Sequence, residues 1–171
     1  MTVLRTHEAD GIVSEALWSH CSTYRYRLTR RWAAGPELLY IMLNPSKATE
    51  AQNDPTIERC QRRATALGYG AFTACNLFAL CATDPKELKA HKEPIGPHTD
   101  AELLDAAARA NAILCAWGVH GTHQNRHQTV ANLLNASTLL CLGTTKEGHP
   151  RHPLYVSYST KPSRWSSPSS G

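Results

Sequence analysis

The order of apolar and polar positions predicts alternating strands and helices. Residues 24–32 alternate, with Tyr24, Tyr26 and Leu28 set against Arg25, Arg27 and Thr29, as in a half-buried strand. After the turn residues Ala33, Ala34, Gly35 and Pro36, residues 38–43 form an unbroken apolar run, the pattern of a fully buried strand. Asp54 followed by Pro55 reads as a helix N-cap with proline at the first helical position. That helix turns Ile57, Cys60, Ala64 and Leu67 inward and ends at Gly68 and Gly70. Residues 72–75 predict a short strand closing on Asn76, and residues 83–97 a loop region with at most one short helix. A strong helix is expected over 99–111, with Leu103, Leu104, Ala107 and Ala110 at helical spacing. A buried strand over 112–117, a helix over 127–134 and a last core strand over 138–142 complete the pattern.

This alternation predicts an α/β fold, a three-layer sandwich with a central, mainly parallel sheet covered on both faces. With 171 residues and 42% hydrophobic content, one domain over residues 1–160 is expected. Residues 161–171, rich in serine and proline, read as a disordered tail. No apolar stretch is long enough for a membrane span, and the first eight residues lack the apolar core of a secretory signal. A cytoplasmic protein with no membrane partner is expected.

The formal charge of +4 suits an anionic partner without demanding one. Arginines cluster at 25, 27, 30 and 31 and again at 59, 62 and 63, which reads equally as solvated strand and helix faces. Of the six cysteines, Cys75, Cys115 and Cys141 lie inside apolar runs, and no Cys-x-x-Cys pair occurs, so reduced, mostly buried thiols are expected. His120, His123 and His127 have spacing that can hold zinc, but no nearby carboxylate orients them. A histidine-rich polar loop is the preferred reading, with no metal and no cofactor.

The candidate chemistry gathers at strand ends. Asn44 follows one buried run and Asn76 another, each a carboxamide with two donors and an acceptor. Taken alone, each is also what a strand end uses as a cap. His152, between Pro150 and Pro153, has a restricted backbone and could hydrogen-bond a leaving group, or simply occupy a surface turn. Trp117 and Gly118 end a core strand; the glycine could admit a ligand or serve the turn. Asp54, Arg59, Lys146 and Arg151 lie near predicted strand ends as candidate pocket or phosphate contacts.

In their order along the chain, these pieces resemble the uracil-DNA glycosylase superfamily. Met42-Leu43-Asn44-Pro45-Ser46 is similar to its first motif, in the style of the mismatch-specific and single-strand-selective branches. Cys75-Asn76-Leu77-Phe78 resembles its base-reading strand end, Ala116-Trp117-Gly118 a later glycine-ended strand, and His152-Pro153-Leu154-Tyr155 its final histidine motif. The Leu-Asn-Pro-Ser, Asp-Pro-Thr-Ile and His-Pro-Leu-Tyr segments also look like an uncharacterised bacterial and phage family of unknown function. Met42 and Ser46 stand where the superfamily has glycines, and Leu154 and Tyr155 where it has Ser-Pro.

The resemblance implies cleavage of the N-glycosidic bond of a damaged or modified nucleobase, with DNA as the expected partner. Asn44 would position water and His152 would stabilise the departing base. Asn76 would read the base edge, with Pro45, Ser46, Phe78 and Trp117 around it and Tyr155, Gly118, Asp54, Arg59, Lys146 and Arg151 as pocket or nucleic-acid contacts. A module that recognises a base without cleaving it, or a base-modifying transferase, would use the same residues.

Overall fold

The computed structural model describes residues 1–168. Its first element is a hairpin, β1 (Thr2–Ala9) and β2 (Ile12–Ser19), which the helix-and-strand alternation did not predict. Its local signal is Asp10-Gly11 between alternating segments. Both residues have positive φ, 55° and 76°, as a two-residue hairpin turn requires. β3 (Arg25–Arg31), β4 (Glu37–Met42), α1 (Pro55–Ala66) and β5 (Ala71–Asn76) follow. Asp54 caps α1 as its sequence predicts, its Oδ1 accepting from the Ile57 N–H at 2.8 Å. Next come α2 (Pro85–Ala90), α3 (Thr99–Arg109), β6 (Ala112–Cys115), a kinked 3-10 segment over Val119–Asn125 and α4 (Arg126–Leu133). The chain closes with β7 (Leu139–Cys141), a short 3-10 turn at Pro153–Tyr155 and β8 (Ser163–Arg164).

All eight strands form one sheet in the order β1-β2-β3-β5-β4-β6-β7-β8. The fold is α/β, but the sheet is mixed. Four neighbouring pairs are antiparallel and three are parallel, so the expectation of a mainly parallel sheet does not hold. The reason lies at the two ends of the chain. A two-residue turn can join only antiparallel strands, and β3 arrives from that hairpin to pair antiparallel with β5. At the far edge, β8 pairs antiparallel with β7.

Helices cover both faces. On one, Ile57, Cys60 and Ala64 of α1 pack on Leu38, Tyr40, Met42 and Phe72. On the other, Leu88 of α2, Leu103 and Ala106 of α3, and Val130 of α4 pack on Leu39, Ile41 and Cys75. The chain leaves β4 through α1 to reach β5 on one side, then returns through α3 to β6 on the other. Such a reversal opens a crevice beyond the carboxyl ends of the strands.

Two further expectations change. Residues 161–168 are not a disordered tail: Ser163 and Arg164 extend the sheet, and Trp165 is buried beside Trp117 at 5.1 Å between ring centroids. Its indole N–H donates to the Gly148 carbonyl at 3.0 Å, so one large side chain in a polar stretch is enough to tie the segment down. The remainder of that predicted tail, residues 169–171, lies outside the described residues. The arginines of β3 are not a solvated face either, since Arg25 and Arg30 are both buried. Among the described residues no helix is long and apolar enough to cross a membrane.

Candidate functional site

A cleft of about 570 Å³ opens at the carboxyl ends of the parallel strands. Of the residues singled out from the sequence, Asn44, Ser46, Asn76, Trp117, Gly118, Arg151, His152 and Tyr155 line it. The strand-end asparagines are neighbours because β4 and β5 run parallel in register, with Met42 opposite Asn76. Backbone bonds continue past that pair, from the Leu77 N–H to the Met42 carbonyl at 2.9 Å and from the Phe78 N–H to the Leu43 carbonyl at 3.0 Å. The cleft floor is therefore a stiff extension of the sheet.

The two amides are used differently. The Asn44 Nδ2 donates to the Ala82 carbonyl at 2.6 Å and to the Pro45 carbonyl at 3.1 Å, with the Leu80 carbonyl at 3.4 Å. Three surrounding carbonyl oxygens fix which end of the amide is nitrogen. Its donor end thus closes residues 80–82 over the strand, leaving the carbonyl end of the amide for other work. Asn76 is 2% exposed, and among the described residues neither its Nδ2 nor its Oδ1 has a hydrogen-bond partner. A buried amide left unpaired costs about 1–3 kcal/mol per group, so a protein that keeps one normally has a use for it.

His152 sits at the start of the Pro153–Tyr155 turn, and its Nδ1 accepts from the Leu154 N–H at 3.2 Å. An accepting Nδ1 carries no proton, so the neutral ring holds its proton on Nε2 and is a donor there. Burial pushes the imidazole below its ordinary pKa, against a smaller opposing pull from Asp54, and so favours that neutral form. Asp54 itself is penalised by burial. Hydrogen bonds from the Ser46 hydroxyl and from the Ile57 and Lys47 N–H groups outweigh that penalty and hold its carboxyl below the usual range.

Other candidates belong to the scaffold. Phe78 is fully buried in the core against His123, and Pro45 is buried with its carbonyl bonded to Asn44, so neither is placed to stack on a ligand. Arg59 donates to the carbonyls of Pro153 and Val156 and lies over the Tyr158 ring at 4.4 Å. Arg63 joins it, donating to Val156, Ser157 and Thr160 carbonyls. Arg59 and Arg63 therefore hold the segment after His152 against α1, and neither lines the cleft. Asp54 is a cap, and Lys146 projects from an exposed turn outside the cleft lining. Tyr155 is 76% exposed at the rim. Gly118 has φ 72°, where a side chain would be strained, so its backbone needs glycine whatever approaches it.

The three histidines of the polar loop diverge. His120 lies 3.2 Å from the Lys89 ammonium, His123 packs on Phe78, and His127 faces His149 at 5.8 Å between rings. Among the described residues no three His, Cys, Asp or Glu side chains come together as a metal set.

Arg25, Thr56, His120 and Thr145 also line the cleft; the sequence singled out Arg25 and His120 for other reasons and gave no sign of Thr56 or Thr145. Arg25 begins β3, and because β3 runs antiparallel to β5 its start lies at the carboxyl edge of the parallel strands. Only the strand direction brings it there, and no local pattern encodes that. Among the described residues no Asp or Glu is in the lining, so the cleft wall they form is neutral to basic.

A family model described as "Protein of unknown function (DUF1643)" matches residues 25–154, and the chain belongs to that family. Neither the curated proteins nor the solved structures contain a match. The resemblance to uracil-DNA glycosylases accordingly rests on motif order alone.

Proposed function

We propose that in this member of the DUF1643 family the cleft binds a nucleobase and cleaves its N-glycosidic bond to the sugar. The observation that carries the reading is Asn76: a buried amide, unpaired at both ends, in a wall shared with Asn44 and His152. Two donors and one acceptor side by side match the Watson–Crick edge of a base. A base in contact with them would restore the hydrogen bonds the fold leaves unmade.

The roles follow from the protonation states. As the C1′–N bond breaks, its electron pair leaves with the base and the sugar becomes oxocarbenium-like. The His152 Nε2–H donates to the oxyanion growing on the base. A water oxygen then bonds to C1′, held by the Asn44 Oδ1 as acceptor. An amide is too weak a base to take the proton early, so the proton leaves after the new bond has formed and passes to the departing base or to solvent.

The test is mass spectrometry of free bases released from nucleotides and oligonucleotides carrying modified bases. His152→Ala should slow release about 10²–10³-fold, the usual loss when one such donor is removed, with binding changed only a few-fold. Equal release by the variant removes His152 from the reaction.

A second reading, recognition without cleavage, is favoured by two observations. The Asn44 donor is committed to backbone carbonyls, and no carboxylate in the lining could serve as a base. It predicts ligand binding with no released base on any substrate.

A further inference from the structure

The chain buries four arginines, Arg25, Arg30, Arg63 and Arg126, and a buried guanidinium must find anions or carbonyls to replace water. Arg126 pairs with the Asp100 carboxylate and donates to the Leu77 carbonyl at 2.7 Å. Arg30 binds the Asn53 amide oxygen and the Thr49 and Gln52 carbonyls. Arg63 binds three carbonyls in the segment after the 3-10 turn. Arg25 is different. It is 2% exposed, its Nη1 donates to the Ala48 carbonyl at 2.6 Å, its Nε is buried without a partner, and among the described residues no carboxylate lies within ion-pair distance. Of the four it alone lines the cleft.

We propose that Arg25 forms an anion subsite that takes the terminal phosphate of a nucleoside monophosphate, so that the cleft's substrate is a free mononucleotide. This rests on the nucleobase reading of Asn76 above and names the substrate class for it. Burial decides between a terminal phosphate and a duplex backbone. A phosphodiester strand runs along a surface and cannot bring its oxygens to a side chain this enclosed, whereas a terminal group can enter a cleft of about 570 Å³, a volume suited to one small ligand. The surroundings suit a doubly charged group. Thr56, in the first turn of α1, lines the same cleft. Arg151 stands at the exposed rim. Asp54 acts on Arg25 only at longer range, and its carboxylate is already bonded to Ser46, Lys47 and Ile57. A guanidinium fork with a free N–H is the side chain best fitted to phosphate oxygens.

The experiment is calorimetric binding to the wild-type chain and to Arg25→Met and Arg25→Lys. The probes are purine and pyrimidine nucleoside 5′-monophosphates, the matching nucleosides, ribose 5-phosphate, nucleoside 5′-carboxylates and a short duplex DNA. At least one monophosphate should bind about 10–100-fold tighter than its nucleoside, the range expected for a charge-assisted pair. Ribose 5-phosphate should bind measurably, and Arg25→Met should abolish both that binding and the monophosphate preference. Arg25→Lys, which keeps the charge without the fork, should lose at least about fivefold and serves if the Met variant fails to fold. Equal affinity for nucleoside and monophosphate, or a preference untouched in both variants, overturns the subsite. So does tighter binding of the carboxylates or of the duplex. If ribose 5-phosphate binds through Arg25 while no base adds affinity, the subsite stands and the nucleobase reading of Asn76 fails. If nucleosides bind and phosphates add nothing, the reverse holds.

Discussion

The ends of β4 and β5 differ in what their asparagines do, although the strands are parallel neighbours and each closes on the same residue type. At the end of β4, Asn44 spends its donor on the carbonyls of Ala82, Pro45 and Leu80 and holds a loop in place. At the end of β5, where Asn76 pairs with Met42 two residues before Asn44, the Asn76 amide is enclosed with both polar atoms unpaired among the described residues. The first amide lowers the energy of the fold and the second raises it. A strand end that stabilises is explained by folding alone. One that destabilises asks for something the folded chain does not itself contain.

The largest expected effect separates the two ends directly. Asn76→Leu should lower affinity for a nucleobase ligand on the order of 10²-fold, because the variant removes the two donors and the acceptor that the buried amide offers a base. Stability should hold or rise by about 1 kcal/mol, since an apolar side chain carries no desolvation penalty there. Calorimetric binding and urea denaturation measure the two quantities on the same sample. A variant that unfolds readily and binds as before would reverse the assignment of the two strand ends.

The mirror substitution gives the next largest effect. Asn44→Ala strips the donor from the carbonyls that close residues 80–82, at about 1 kcal/mol for each good hydrogen bond and more where a carbonyl is left buried. A loss of about 2–3 kcal/mol is expected, which lowers the melting temperature by roughly 5–10 °C in a domain of this size. Ligand affinity should fall only a few-fold in the molecules that remain folded. A stability change below about 0.5 kcal/mol would mean that the amide is not holding the loop.

Neither difference could be read in the sequence, and the reason is general. Asn44 and Asn76 follow similar apolar runs, and whether a carboxamide is paired depends on carbonyls more than thirty residues away. What was legible is what local patterns determine. The buried run before Asn44, the Asp54-Pro55 helix start and the helix carrying Leu103 all lie where spacing puts them, because periodicity reports which face is buried. Convergence of Asn44, Asn76 and Trp117 on one cleft also follows once those strands are parallel, since parallel strands share a carboxyl edge, whereas His152 reaches it from the loop after β7. The direction of β3 and the pairing of β8 are long-range choices, so neither the place of Arg25 in the cleft nor the burial of Trp165 could be foreseen. Phe78 shows the opposite error: an aromatic two residues past a site residue lies beyond the end of β5, where the chain has left the strand, and packs in the core.

The smallest expected effect is one of pH, and it acts on the β4 side through His152, which lines the cleft, and Asp54, which caps α1 and bonds Ser46. Asp54, whose Ser46 and backbone partners hold it ionised, has a folded pKa below the unfolded value of about 3.9. In that window the unfolded chain binds the proton first, so stability is present above the unfolded pKa and is lost as pH falls through the folded one. His152 has the same sign for the opposite reason. Burial keeps its ring neutral, so its contribution begins to be lost below about 6.5, when the unfolded ring charges and the folded one does not. His127 is also lowered by burial and adds to that upper window. Melting temperature should therefore decline in two stages as pH is reduced, one starting near pH 6.5 and one near pH 4. His152→Asn should shrink the upper stage to what His127 supplies. Asp54→Asn should start from a lower melting temperature and lack the part of the lower stage that comes from this cap. If Asp54→Asn keeps the full acid-side slope, the carboxylate is not what fastens Ser46 and the first turn of α1 beside the cleft, and the rigidity assigned to that strand end must come from Asn44 alone.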